Sequence, residues 1–453
     1  MSEHDWRDPL LAGAQRIDVP LAGRVLHAWP GYQPRPAVSA WRLERAVAAV
    51  WDFAVLGGSF SEDDATVLAG AIEEAVREGL PLLTLVRSGG TRLQEGIAAL
   101  VGIPRARIAL GDLARAGLAH LSVADAPTTG GVWVAVTSGA DLRVAVEGAT
   151  VAFAGPRVAQ AFTGVLPGAD SHTAGSAYGA GLVDALLGPA DVAGWLDRAL
   201  AALTPGAGVV PRPAPAPPAA ARRTGWAQVL AARARTKGGQ DLLDELLTGA
   251  VALRAHGGDA TVAAAVGRLE DRPCVVIALA ADLGQRPTPE GYRLAARAYR
   301  LADRLTLPVL SLVDTPGADP GTRSEEAGIA SAMGEALDAL LACRSPTLAF
   351  VHGEGGSGGA LAAAAADRVL LAPDSYFAAI GPEGAEAALR RPAAACADAM
   401  AITPSDLLAV SFADALAAPA DLAWHLADLS TADATARLER RRTRWRSPVG
   451  THS

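Results

Sequence analysis

Gly79-Leu80-Pro81-Leu82-Leu83-Thr84-Leu85-Val86-Arg87-Ser88-Gly89-Gly90 returns 227 residues later as Thr306-Leu307-Pro308-Val309-Leu310-Ser311-Leu312-Val313-Asp314-Thr315-Pro316-Gly317. Ala140-Asp141 then matches Ala366-Asp367, and Gly155-Pro156 matches Gly381-Pro382, both 226 residues apart. A near-constant offset over four landmarks marks a tandem duplication of one domain. Within each copy the same unit repeats. Leu82–Val86, His120–Ala124, Val309–Val313 and Thr347–Val351 are short apolar runs of the size and composition of buried strands. Each leads into a glycine turn and then a helical pattern. Ser324–Leu341, with Glu325 and Glu326 ahead of apolar residues at helical spacing, predicts one helix, and Leu361–Ala366 another. The class is α/β, in two tandem domains.

Outward from the repeat, Thr204 to Arg223 holds six prolines among alanines and glycines, a composition that favours an extended spacer. It sets the boundaries at 1–204, 205–223 and 224–453. The 453 residues are half hydrophobic and 19% charged, enough apolar material for two cores. Lys237 is the only lysine among forty basic residues. It lies in Thr236-Lys237-Gly238-Gly239, so no P-loop is present and no lysine sits between methionines as a biotin acceptor does. The net charge of −8 argues against a nucleic-acid binder. The one dense basic run, Arg437 to Arg446, reads as a solvated terminal helix. Cys274, Cys343 and Cys396 form no Cys-x-x-Cys pair, which excludes a four-cysteine zinc site and suits a reducing cytoplasm. The polar Met1–Trp6 start predicts no signal peptide, and no apolar run approaches membrane length.

The chemistry resides in the turns. A strand ending in glycines and opening a helix presents free N–H groups at the positive end of the helix dipole, open to a substrate oxygen. Each copy has two: Ser88-Gly89-Gly90-Thr91 with Thr129-Gly130-Gly131, and Thr315-Pro316-Gly317-Ala318 with Gly355–Gly359. Two oxyanion sites suit a reaction in which two carbonyls become enolate-like. The competing reading is that the glycines only let helices pack against strands. A nucleotide-phosphate reading is weaker, since neither Gly-x-Gly-x-x-Gly in a first βαβ unit nor a following ribose-binding acid is apparent. Gly355-Gly356-Ser357-Gly358-Gly359 also satisfies the nucleophile elbow of serine hydrolases, but only His425 and His452 follow it.

Residues in both halves carry a resemblance. In the second half they are Pro289-Glu290-Gly291-Tyr292-Arg293, Asp314–Gly321, Glu325–Gly328, Gly353–Leu361 and Gly381–Gly384. In the first half they are Gly57-Gly58-Ser59, Ser88–Gly96 and Phe153–Val158. The chain resembles the carboxyltransferase component of acetyl-CoA carboxylase, with a β-like half fused to an α-like half, in the crotonase (ClpP-like) superfamily. The resemblance spans roughly residues 20–420 and implies two tandem crotonase-like ββα-superhelix domains.

It also implies transfer of CO2 from carboxybiotin, borne on a separate carrier protein, to acetyl-CoA or a related acyl-CoA, giving malonyl-CoA for fatty acid synthesis. Biotin's own nitrogen takes the α-proton, so no side-chain base is required. By this resemblance Gly90, Thr91, Gly130 and Gly131 serve the acyl thioester, while Gly317, Ala318, Gly358 and Gly359 serve biotin with Gly356 and Ser357. Arg92 and Arg157 are candidates for CoA phosphates or for structural salt bridges, and Glu95, Glu325 and Glu354 are structural. The implied partners are a biotin carboxyl carrier protein and a biotin carboxylase, with at least a homodimer of this chain; neither nucleic acid nor membrane is implied. Three departures stand out. There is no cysteine before Cys274 and hence no zinc ribbon. Thr91 replaces the usual alanine. The turn Asp125–Gly131 is one residue longer than usual. They motivate two alternatives, a non-catalytic scaffold of a carboxylase complex and an acyl-CoA decarboxylase of the same fold.

Overall fold

The structure is a computed structural model that describes residues 6–21, 29–204 and 221–447. Positions 205–220, most of the expected spacer, lie outside the described residues. The chain divides into two compact units, Met1–Ala201 and Ala202–Ser453.

The first unit is built on an eight-stranded sheet of β1 (Gln15–Ile17), β2 (Val38–Arg42), β3 (Val47–Trp51), β4 (Leu82–Ser88), β5 (His120–Thr129), β6 (Leu142–Val146), β7 (Val151–Ala152) and β8 (Ala185–Leu187). The order is β1-β2-β3-β4-β5-β6-β8, with β7 beside the end of β5. β1 to β3 pair antiparallel, and every pairing from β3 onward is parallel. The second unit repeats this with β9 (Thr248–Ala252), β10 (Val262–Leu269), β11 (Arg272–Leu279), β12 (Val309–Thr315), β13 (Thr347–Gly356), β14 (Arg368–Leu371), β15 (Tyr376–Ala378) and β16 (Ala415–Leu416). The duplication read from the sequence is therefore a duplication of topology. The four predicted strands are β4, β5, β12 and β13, each running further toward its glycine turn than its apolar run suggests. In both units helices cross between the parallel strands, as parallel pairing requires.

The helices feeding the glycine turns are also duplicates. Glu62–Glu78 opens on a Ser61/Asp64 capping box, and Pro289–Leu305 on the Thr288 hydroxyl with proline at its first position. Both end in a left-handed residue, Gly79 at φ 67° and Thr306 at φ 56°. Leu68 and Ile72 on the buried face of the first of these helices share a core with Trp51 and Phe60.

Two expectations are corrected. The predicted helix over Ser324–Leu341 is two helices, Thr322–Glu326 and Ile329–Ala342, because Gly328 between them is left-handed at φ 80°. The arginine-rich helix Ala434–Arg446 is not simply solvated. Arg441 is fully buried and grips both oxygens of Asp367, at 2.8 and 2.6 Å. Burying that charge is tolerable only because it is paired and hydrogen-bonded.

Candidate active site

In the first unit β4 and β5 pair Val86 with Ala124 and Ser88 with Thr128, so β5 bulges by two residues just before its turn. The second unit has the same bulge, Val313 with Val351 and Thr315 with Gly355. The Asp125–Gly131 turn is thus the same length as its own duplicate.

The bulge brings the two turns of each unit together. Gly90 (φ 113°) and Gly130 (φ 65°) touch backbone to backbone: a Cβ on Gly130 would lie 2.9 Å from the Gly90 Cα. In the second unit a Cβ on Gly356 would lie 2.2 Å from the Pro316 carbonyl carbon. One on Gly359 would lie 2.5 Å from the Ala318 nitrogen. Only glycine permits this approach. Ser357 takes the place of Gly130, with the same φ of 65°.

Several backbone donors are already engaged. The Gly90 N–H donates to Ser88 Oγ at 3.1 Å, the Gly317 N–H to Thr315 Oγ1 at 3.2 Å, and the Gly130 N–H to the Phe153 carbonyl at 3.0 Å. These three glycines shape the turns without offering a donor. Among the described residues nothing accepts from the N–H of Thr91, Gly131, Ala318 or Gly358. Thr91 and Gly131 lie side by side in the first unit, and in the second the Ala318 nitrogen lies against Gly359, the residue after Gly358. Two flanking bonds pin Thr91: Phe60 N–H to Gly90 O at 2.7 Å and Arg92 N–H to Phe60 O at 2.9 Å. Its extra hydroxyl stands 2.9 Å from where a Gly131 Cβ would be.

Charged side chains hold this backbone from behind. Arg92 is completely buried, with Nη1 donating to the Arg35 carbonyl (2.7 Å) and Nη2 to the Ser59 carbonyl (2.6 Å) and Asp64 (3.2 Å). Every direction of its guanidinium ends on protein, which places it in the scaffold of the loop and out of reach of a CoA phosphate. Arg157 is exposed on the helix Pro156–Thr163 and is not so engaged. Glu95 accepts from Tyr32 and from the Glu62 N–H, and Glu354 accepts from Arg233 Nε (2.9 Å) and Tyr376 (2.7 Å). Glu325 is exposed on its short helix.

Two supports escape a sequence reading. Asp314 is gripped by Arg235 and accepts the Glu354 N–H at 3.0 Å, tying together the two turns of the second unit. In the first unit the corresponding position is Arg87, and the charges reverse: Arg87 donates to Asp125 at 2.6 Å. Arg233 and Arg235 stand in an arginine-rich segment whose partners lie about a hundred residues away in the chain, so spacing carries no signal for them.

The serine at the elbow has no base. No side chain among the described residues hydrogen-bonds Ser357 Oγ. His425 bonds Arg368, and His452 lies outside the described residues. The buried His352 ring is held neutral, its pKa pushed down to about 3 by burial and by the nearby Arg235 charge. Among the described residues no three His, Cys, Asp or Glu side chains gather as metal ligands do, and no helix is long and apolar enough to cross a membrane.

Paired amide donors on duplicated crossovers are what known relatives can be compared against. The family described as "Acetyl co-enzyme A carboxylase carboxyltransferase-like" matches residues 222–441, and the "Carboxyl transferase domain" matches 44–183. The "Acetyl-coenzyme A carboxylase carboxyl transferase subunits beta/alpha" of Salinispora arenicola is 37% identical over 84% of this chain and 72% of its own length. The chain belongs to this carboxyltransferase family.

It is a carboxyltransferase subunit of the biotin-dependent acyl-CoA carboxylases, with the β-like and α-like halves fused. A second relative, the "Probable biotin-dependent acyl-coenzyme A carboxylase beta3 subunit" of Mycobacterium bovis, is 33% identical over 83% of this chain and 77% of that one. Among solved structures, the transcarboxylase 12S hexamer core superposes with a TM-score of 0.75 at 22% identity, covering 100% of this chain and 92% of that one. A single-chain, multi-domain long-chain acyl-CoA carboxylase gives 0.73 at 18% identity over 94% and 47%. The fold is the expected one, two tandem crotonase-like α/β domains.

Proposed function

We propose that this carboxyltransferase moves CO2 from carboxybiotin, presented by a separate carrier protein, to acetyl-CoA, forming malonyl-CoA. A single observation carries the reading: among the described residues the N–H groups of Thr91 and Gly131 in the first unit, and of Ala318 and Gly358 in the second, meet no acceptor and stand beside glycines that exclude side chains. Thr91 and Gly131 hold the thioester oxygen of the acyl-CoA, and Ala318 and Gly358 hold the ureido oxygen of biotin. Each pair stabilises charge as it develops on that oxygen, where one donor is worth roughly 2.7–4 kcal/mol. Gly356 and Gly359 keep the second cradle open to the ring, and Ser357 stands at its mouth. Carboxybiotin, when bound, supplies both the CO2 and the nitrogen that accepts the α-proton, so the protein needs no side-chain base. Arg157, exposed beside the first turns, meets the CoA phosphates.

Lys237 is the chain's one lysine and forms an exposed ion pair with Glu245, so biotin arrives on a carrier charged by a biotin carboxylase. Two domains, 1–204 and 224–453, joined through 205–223, carry one half-site each. Leu93 (75% exposed), Ile97, Phe153 and Phe162 (87% exposed) form apolar surface around the first turns that a second copy of the chain would cover. The acyl preference is tested by offering malonyl-, methylmalonyl- and long-chain carboxyacyl-CoA as donors to biocytin. Acetyl-CoA specificity requires the highest kcat/KM with malonyl-CoA; a higher value with either other donor rejects it.

A further inference from the structure

Tyr292 sits on the helix Pro289–Leu305 with no solvent exposure, and its hydroxyl has no hydrogen-bond partner among the described residues. An unpaired buried hydroxyl destabilises a fold, and phenylalanine would fill the same space without that cost. The same helix shows the ordinary solution: the hydroxyl of Tyr299, equally buried, meets Ser311 Oγ at 2.9 Å. The location of the orphan is specific. A Cβ on Gly359 would stand 2.5 Å from the Ala318 nitrogen and 2.8 Å from the Tyr292 hydroxyl oxygen. The hydroxyl oxygen and the Ala318 nitrogen therefore both lie against the Gly359 backbone, on the side a Cβ would occupy. Burial raises the Tyr292 pKa, so the group remains a protonated donor. The first unit has no equivalent, because the corresponding position is Ala65.

We infer that Tyr292 is a third hydrogen-bond donor of the second-unit site, its hydroxyl donating to the same carbonyl oxygen that Ala318 and Gly358 hold. It is unpaired in the free protein because its acceptor arrives with the ligand. The inference rests on the reading of this turn as the ureido site, and it makes the two half-sites unequal: two donors for the thioester, three for the urea. Such a donor is a catalytic residue, since it touches the reacting group.

The test is Tyr292→Phe in the full chain, read three ways: calorimetric titration with biocytin, steady-state carbon transfer from malonyl-CoA to biocytin, and thermal unfolding. The inference expects biocytin affinity weakened several-fold, kcat lowered by about tenfold or more, KM for malonyl-CoA unchanged, and an unfolding midpoint equal to or above wild type. A structural role lowers the midpoint instead and overturns the inference. So do kcat and biocytin affinity both within twofold of wild type. If wild type binds biocytin and loses affinity on Tyr292→Phe yet transfers no carbon, the inference stands and the proposed reaction fails. If wild type binds no biocytin, the inference fails with it.

Discussion

Gly359→Ala probes the second half-site most sharply. The new methyl would lie 2.5 Å from the Ala318 nitrogen and 3.1 Å from the Gly317 carbonyl carbon, both backbone atoms. Ordinary contacts need about 3.5 Å or more, so the Gly317–Ala318 peptide must retreat by about 1 Å. A displacement of that size in a positioned group costs on the order of 10²-fold in rate, and complete loss of one donor about 10²–10³-fold. The overpacking itself costs about 1–3 kcal/mol of stability. Gly334→Ala is the control. Gly334 is exposed on the helix Ile329–Ala342 and its Cβ would meet nothing within 4 Å, so stability rises by roughly 0.5–1 kcal/mol. Transfer from malonyl-CoA to biocytin, measured with the unfolding midpoint of each variant, separates the effects. A folded Gly359→Ala protein with kcat within threefold of wild type would refute the donor-pair argument.

Two further predictions follow from burial and charge. Arg92→Ala strands the Asp64 carboxylate in the core and is expected to cost about 3–5 kcal/mol of stability, whereas Arg157→Ala leaves the unfolding midpoint unchanged and raises the KM for acyl-CoA several-fold. The reverse pattern in denaturation and kinetics would show that Arg92 is the CoA ligand. His352 is neutral in the folded protein down to about pH 3, whereas unfolded it titrates near 6.5, so the unfolded chain binds the extra proton between those values. Stability from this group is complete above pH 6.5 and falls as pH drops, by at most about 1.4 kcal/mol per unit. Urea unfolding at pH 7 and pH 5 should show a steeper decline in wild type than in His352→Phe; parallel declines would contradict it.

The parts of the fold legible in the sequence are those whose residues are buried on both faces. β4 and β12 are continuous apolar runs because helices and neighbouring chain cover both sides of a parallel sheet. The outer strand β2 was not legible. β2 is only partly buried and mixes Trp41 and Arg42 with small residues, giving no distinct period. The break at Gly328 was hidden because acids followed by apolar residues at helical spacing read as the first turn and body of a single helix. In the site, the glycines and their duplication were readable, but which N–H groups remain free was not. That depends on Ser88 Oγ, Thr315 Oγ1 and the Phe153 carbonyl, contacts fixed only by the folded turn. The same holds for charge. Arg92 and Arg441 look like surface arginines until Asp64 and Asp367 are brought beside them, and Tyr292 stood inside a quoted motif with nothing to mark its hydroxyl as unpaired.

The central claim is that this chain carries both half-sites of a carboxyl transfer and lacks only the biotin. Incubating the purified full chain with malonyl-CoA labelled in its free carboxyl group and with free biocytin tests it directly. The account expects label to appear on biocytin with matching release of acetyl-CoA, without ATP or any added protein. A folded chain that moves no label from malonyl-, methylmalonyl- or longer carboxyacyl-CoA would contradict it.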